Sequence, residues 1–283
     1  MDQAAVSRRV GSSLGLGRPV AVAELRGGLG RPPLLISFPD TKVVLKSFDD
    51  NRSAAEVEYE NLRVAADISL TPRALGIDLD GAWGDGVAIA MSWVDGRAGF
   101  QGSDDLAWLA GLARGLADVH SIAPPHQHPH VPQRLFNWIR SLAADESRYK
   151  SLLPVLTELE TSTVDLVFSH GDYQPGNVLF RHAEVRGVVD WLDAAPRERA
   201  FDVAYCRAVL AIHPGGDAPD LFRQFYEERV ATDVGCQSWD RVLALRSMRG
   251  SRGRWPEAFA RLGVNITADD IWDRSARWFD SLG

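Results

Sequence analysis

His170-Gly171-Asp172-Tyr173-Gln174-Pro175-Gly176-Asn177 and, further on, Val188-Val189-Asp190-Trp191-Leu192-Asp193 decide how this chain is read. Asp172 and Asn177 stand five positions apart, and Asp190 lies 18 positions after Asp172. Between them, Val178–Phe180 and Val185–Val189 have the composition of two short strands. A hairpin of that size returns Asp190 towards Asn177, so both can share one cation. A carboxylate can orient a hydroxyl and take its proton. Carboxylate and amide oxygens are hard ligands for Mg²⁺, and the amide adds no further negative charge beside a phosphate chain.

Working outward, β-type signals dominate up to about residue 95. Residues 1–18 read as a short helix with a Gly-rich end, followed by a strand over Val20–Leu25 and a turn at Gly27, Gly28 and Gly30. Leu34–Phe38 and Lys42–Phe48 flank Pro39-Asp40 as a hairpin. Ser53-Ala-Ala-Glu56 has the form of a capping box opening a helix to about Ala66. Val87–Val94 is an apolar strand, broken by Asp95-Gly96-Arg97. After that the periodicity turns helical: Ser103 is placed to cap, with Asp104 and Asp105 in the first turn, and Leu106, Leu109, Leu112, Leu116 and Val119 recur at helical spacing. Leu135–Leu142 and Leu152–Leu159 are further helices, the second interrupted early by Pro154. A short strand follows at Leu166–Phe168, and the chain is mostly helical from about Phe201. The expected class is α+β, with a small β-rich N-terminal lobe over 1–95 and a larger helical lobe over 96–283, joined by a hinge near 91–96.

The Asp-to-Asn spacing equals that of the protein-kinase catalytic loop, H-R-D-x-x-x-x-N. HGDYQPGNVLF, then GVVDWLDA, then AFDVA, more specifically resembles the aminoglycoside phosphotransferase and choline-kinase-like superfamily, over about residues 20–230. The resemblance implies a two-lobed protein-kinase-like fold, ATP or GTP as phosphoryl donor, Mg²⁺, and a small-molecule hydroxyl as acceptor. It makes Asp172 the catalytic base, Asn177 and Asp190 the Mg²⁺ ligands, His170 a support for the loop, and Asp202 the buried carboxylate that holds the loop. Lys46, ending the strand Val43-Val44-Leu45, would reach the α- and β-phosphates; Lys42 shares its face but lies outside the apolar run. Its partner would be Glu58, which shares a helix face with Leu62 and Ala65, with Glu60 as rival. Gly28, within Gly27–Gly30, could cover the phosphates. Met91-Ser92-Trp93-Val94 resembles the hinge that meets the nucleotide base. Gly171 stands where protein kinases carry Arg, Asp190 is followed by Trp-Leu, and no A-P-E segment appears, all of which set the chain apart from regulated protein kinases.

The bulk properties exclude other classes. With 283 residues, 45% hydrophobic and 24% charged, the chain can bury a sizeable core. A net charge of −7 is unsuited to nucleic-acid or anionic-membrane binding. Cys206 and Cys236 are too few for a disulfide framework and suit a reducing cytoplasm. MDQAAVSRRV has no long apolar run, and no stretch approaches the ~18–20 apolar residues of a membrane span. His120, at a helix end, reads as structural, and His126, His128 and His130 as a Pro-rich loop; Asp193 is either a second metal or substrate contact or a local cap. Trp239, Trp255, Trp272 and Trp278 read mostly as packing residues. Between Thr232 and Leu262 six arginines face three acids, net +3, so a polycationic acceptor is not favoured by charge. An antibiotic-phosphorylating enzyme is the leading expectation. A metabolic kinase for choline-like, amino-alcohol or sugar substrates is the alternative, and a silent nucleotide-binding protein is the third, which retention of Lys46, Asp172, Asn177 and Asp190 argues against. Acceptor and oligomeric state stay open.

Overall fold

Strand alternation sets the layers of the N-terminal region. The computed structural model describes residues 2–25, 31–100, 106–125, 132–162 and 164–283. The Gly27–Gly30 turn with Gly28, the Ser103 cap with Asp104 and Asp105, and His126, His128 and His130 lie outside the described residues. The chain begins with α1 (Gln3–Ser13), β1 (Ala21–Glu24), β2 (Leu34–Ser37), β3 (Lys42–Ser47), α2 (Arg52–Val64), β4 (Ala74–Asp78) and β5 (Ala88–Ser92). The five strands form one antiparallel sheet in the order β1-β2-β3-β5-β4. Leu34, Ile36, Val43, Leu45, Ala88 and Ala90 point to one face, where Val6 and Val10 of α1 cover them. Val44, Ile89 and Met91, of opposite parity, face the C-terminal core, and Lys46 shares their parity.

The C-terminal region continues with β6 (Arg97–Ala98), α3 (Leu106–Val119), α4 (Gln133–Asp145), α5 (Leu152–Thr161), β7 (Leu166–Ser169), β8 (Val178–Arg181), β9 (Glu184–Val188), β10 (Ala195–Glu198), α6 (Arg199–Ile212), α7 (Ala218–Val230), α8 (Gln237–Ser251), α9 (Trp255–Arg261) and α10 (Ala268–Ser281). Two small antiparallel sheets, β10-β7 and β6-β8-β9, stand among the helices. Helix α6 is buried over almost its whole length. Its Arg207 donates from Nε to Asp240 of α8 at 3.0 Å and from Nη1 to Asp220 of α7 at 3.0 Å. Cys206 and Cys236 are free thiols, both buried. Burial pushes Cys236 up to about 12 and Cys206 well above its ordinary range. Among the described residues no helix is long and apolar enough to cross a membrane.

Several local expectations change. The cap of α2 is Asn51, whose side chain accepts the Ala54 N–H at 3.1 Å. The turn Phe48–Asn51, closed by Asn51 N–H to the Phe48 carbonyl, brings Asn51 to the helix entry first, so Ser53 is already helical and Glu56 faces Arg52 at 3.9 Å instead of serving a capping box. Pro154 does not interrupt α5; it occupies the first turn, where its missing N–H has no helical partner to lose. Strands β4 and β10 carry weak signals: Gly76 sits at a bulge in β4, and β10 contains Pro196.

Arg207→Ala leaves the Asp240 carboxylate, 1% exposed, without its cation. The expected cost is about 3–5 kcal/mol, read from the urea midpoint; an unchanged midpoint would remove the pair from the stability of the helical region.

Candidate active site

Strand β7 delivers the chain to His170, and the turn that follows is built around one buried carboxylate. Asp202, in the first turn of α6, accepts the N–H of His170 at 2.7 Å and of Gly171 at 2.9 Å. Gly171 has φ +80°, and a Cβ there would lie 2.2 Å from the Asp193 carbonyl oxygen, so only glycine fits. The third Asp202 contact is His120, with Nε2 at 2.9 Å. On its other side, His120 Nδ1 meets the Tyr226 hydroxyl at 2.6 Å, and that hydroxyl accepts from Arg199 Nη1 at 2.8 Å. A phenol has one hydrogen to give. The ionised Asp202 can only accept, so Nε2–H donates to it, and Nδ1 of the neutral ring accepts from the Tyr226 hydroxyl. Burial lowers the His120 pKa, consistent with a neutral ring. Burial alone would raise Asp202, but the His120 hydrogen bond and nearby cations hold it below the ordinary carboxylate range.

The expected site residues converge on this loop. Asn177 Nδ2 donates to the Asp172 carbonyl at 2.9 Å and to Asp172 Oδ2 at 2.8 Å. Val189 N–H donates to the Asn177 carbonyl at 2.9 Å, so the β8–β9 hairpin does return Asp190 to Asn177. His170 bonds the Val189 carbonyl through Nε2 at 3.1 Å and accepts the Asp172 N–H at Nδ1 at 3.3 Å. Asp190 takes a left-handed conformation, φ +67°. Its Oδ1 lies 2.6 Å from Lys46 Nζ, which also reaches Glu58 Oε2 at 2.6 Å and Oε1 at 2.8 Å. Glu60, the rival, instead pairs with Arg63 on the exposed face of α2. Asn61, one turn from Glu58, donates to the carbonyls of Trp191 and Ala194 and ties α2 to the turn after Asp190.

Electrostatics divides the carboxylates. Burial pushes Asp172 up to about 6, with Arg246 opposing and Asp190 assisting. Burial pushes Glu58 up to about 7 against the pull of Lys46. Asp190 would also rise on burial, but Lys46 carries it below the ordinary range. Burial would lower Lys46, and Asp190 and Glu58 outweigh it, so the ammonium stays charged. Among the described residues Asn177 Oδ1 and Asp190 Oδ2 accept no hydrogen bond, which leaves a hard oxygen on each side chain for a cation. No cluster of three or more His, Cys, Asp or Glu among the described residues could hold a metal by itself. A cavity of about 540 Å³ opens beside residues 92–95, lined by Ser92, Trp93 and Val94 together with Lys42, Ile68 and Arg73. The N–H groups of Ser92 and Trp93 are used by the carbonyls of Arg73 and Lys42.

A model of the phosphotransferase enzyme family matches residues 22–244. The chain belongs to that family. No curated protein matches the sequence of this phosphotransferase. Its fold is that of solved kinases. Choline kinase LicA of Streptococcus pneumoniae superposes with a TM-score of 0.66 at 16% identity, covering 96% of this chain and 98% of that one. Macrolide 2'-phosphotransferase MphH of Brachybacterium faecium gives 0.59 at 16%, covering 94% and 96%. Spectinomycin phosphotransferase, solved with ADP and spectinomycin, gives 0.60 at 12%, covering 93% and 89%.

Two neighbours of Asp172 escaped the sequence reading. Tyr205 lies under the Arg246 guanidinium and acts on Asp172, holding its pKa down against burial. It lies three positions after Asp202, on the same side of α6, and that spacing was a usable signal. Arg246, with Nη2 3.4 Å from Asp172 Oδ1, comes from α8, and no local pattern marks it.

Asp202→Ala removes the acceptor of three buried donors. We expect a loss of about 3 kcal/mol or more in unfolding free energy, measured by thermal or urea denaturation; a stability within the error of wild type would separate the loop from Asp202.

Proposed function

We propose that the protein moves the γ-phosphoryl group of ATP to a hydroxyl of a small molecule. The observation that carries this is the convergence of Lys46, Glu58, Asp190, Asn177 and Asp172 from four separate parts of the chain. In this reading residues 1–95 hold the nucleotide and 96–283 hold the acceptor, with the hinge near 91–96. The base lies against Ser92, Trp93 and Val94, while Gly28 and its neighbours stay assigned to the phosphates on sequence alone. Lys46, oriented by Glu58, pairs with the α- and β-phosphates. Asp190 and Asn177 would hold Mg²⁺, which neutralises charge on the phosphate oxygens. Asp172, positioned by Asn177, aligns the acceptor hydroxyl. The hydroxyl oxygen forms a bond to the γ-phosphorus, the bond from phosphorus to the β,γ-bridging oxygen breaks, and the proton passes to Asp172. ADP leaves.

Two acceptor classes follow. Phosphorylation of an antibiotic is the first reading, and a resistance phenotype on expression would support it. The second is a metabolic acceptor, favoured by Arg246, since a guanidinium beside Asp172 opposes a polycationic ligand.

The test is ADP or GDP release with Mg²⁺, ATP or GTP, and a panel of antibiotics and hydroxyl metabolites. Asp172→Ala is expected to lower kcat by about 10²–10⁴-fold while nucleotide affinity is kept; near-wild-type turnover would remove Asp172 from this role. Its carboxyl, held at about 6, must be ionised to take a proton. Activity is therefore expected to fall as pH drops through about 6, and a flat profile from pH 8 to 5 would contradict that assignment.

A further inference from the structure

Phosphoryl transfer accounts for Asp172, Asn177, Asp190 and Lys46, but not for Arg246. Arg246 rises from the middle of α8, and its guanidinium lies 4.2 Å from the centre of the Tyr205 ring. Its contact with Asp172, at 3.4 Å, is the one hydrogen bond it makes among the described residues. The side chain is 29% exposed. A guanidinium carries five N–H donors in a rigid fork suited to carboxylate and phosphate oxygens. Stacking on Tyr205 fixes the plane of that fork without using a donor. An arginine serving only to steady Asp172 would gain from a close, two-pronged contact, and the single 3.4 Å contact is not one.

Asp193 and Asp202 stabilise the Arg246 cation, and the Arg197 guanidinium opposes it. Two further arginines add positive charge nearby in the sequence. Arg249 and Arg252 follow at steps of three and lie over Trp138 at 5.3 Å and Trp272 at 4.4 Å. Neither forms an ion pair among the described residues. The acid of α8, Asp240, is buried against Arg207 and cannot offset them. Arg246 and Arg249 of α8 and Arg252 at its C-terminal cap thus each lie over an aromatic ring.

We propose that Arg246 receives a carboxylate or phosphate group of the acceptor, so that the substrate is a compact, negatively charged hydroxyl compound. This rests on the phosphotransferase reading of the same site. Because Arg246 and Asp172 are in contact, the anionic group and the reacting hydroxyl are only a few bonds apart.

The experiment measures ADP release by the full chain with three acceptor sets. The anionic set holds hydroxycarboxylates and phosphate monoesters, including D-glycerate and glycerol 3-phosphate. The neutral set includes glycerol, and the cationic set includes choline and kanamycin. The best acceptor is expected in the anionic set, and its arm identifies carboxylate or phosphate. For that acceptor, at a pH of about 8.5 where Asp172 is ionised with or without Arg246, Arg246→Met should raise KM about 30-fold or more, a larger effect than on kcat. Arg246→Lys should recover part of the loss, and melting temperatures confirm that both variants fold. Turnover confined to neutral or cationic acceptors overturns this inference and leaves the kinase standing. An equal loss of kcat on every acceptor at constant KM also overturns it and makes Arg246 a positioning residue for Asp172. No turnover in any set brings down both readings together.

Discussion

Asp202 is a fully buried carboxylate, and burying such a charge is costly unless hydrogen bonds replace its lost hydration. The protein supplies three donors: two consecutive backbone N–H groups from the 170–171 turn and the imidazole of His120. The dependence runs both ways. The carboxylate needs those donors, and the turn meets it with two consecutive N–H groups just before Asp172. Helix α6, rigid through its burial, thereby dictates where the loop sits. The chain of contacts then leads outward through His120 and Tyr226 to Arg199 and Asp165.

Lys46 is the corresponding link between the N-terminal sheet and the helical region. It bonds Glu58 of α2 and Asp190 beyond β9, while Asn61 fastens the same helix to the turn that follows Asp190. Four charged or polar groups from distant parts of the sequence thus fix the relation between the strand carrying the lysine and the loop carrying Asp172. Asp172 and Asp190 are held differently: burial raises Asp172, and Lys46 depresses Asp190. One is suited to exchange a proton, the other to remain an anion.

Much of this was legible because the chemistry is concentrated in two short segments. Asp172, Asn177 and Asp190 announce themselves by spacing, and the hairpin between them reads from its apolar runs. Lys46 follows from strand parity and Glu58 from its helix face, since both depend on local periodicity. What escaped was set by tertiary placement. Strand β4 has few β-branched residues and a bulge, and β10 contains a proline, so neither carries a strong strand pattern. Ser53 and Glu56 fit a capping box, yet Asn51 reached the helix end first. Arg246 lies 74 residues from Asp172, and nothing in its own helix distinguishes it from the other arginines there.

The burial of both thiols has a practical consequence for watching the molecule move. Cys206 and Cys236 are protonated and sealed in the helical core, where maleimides and spin labels have neither a thiolate nor a path to attack. The natural chain is therefore silent towards such reagents. A cysteine introduced on the exposed side of α2 and another on the surface of α10 would each take up a probe without removal of the native pair. The separation of the two probes could then be followed as nucleotide and acceptor arrive.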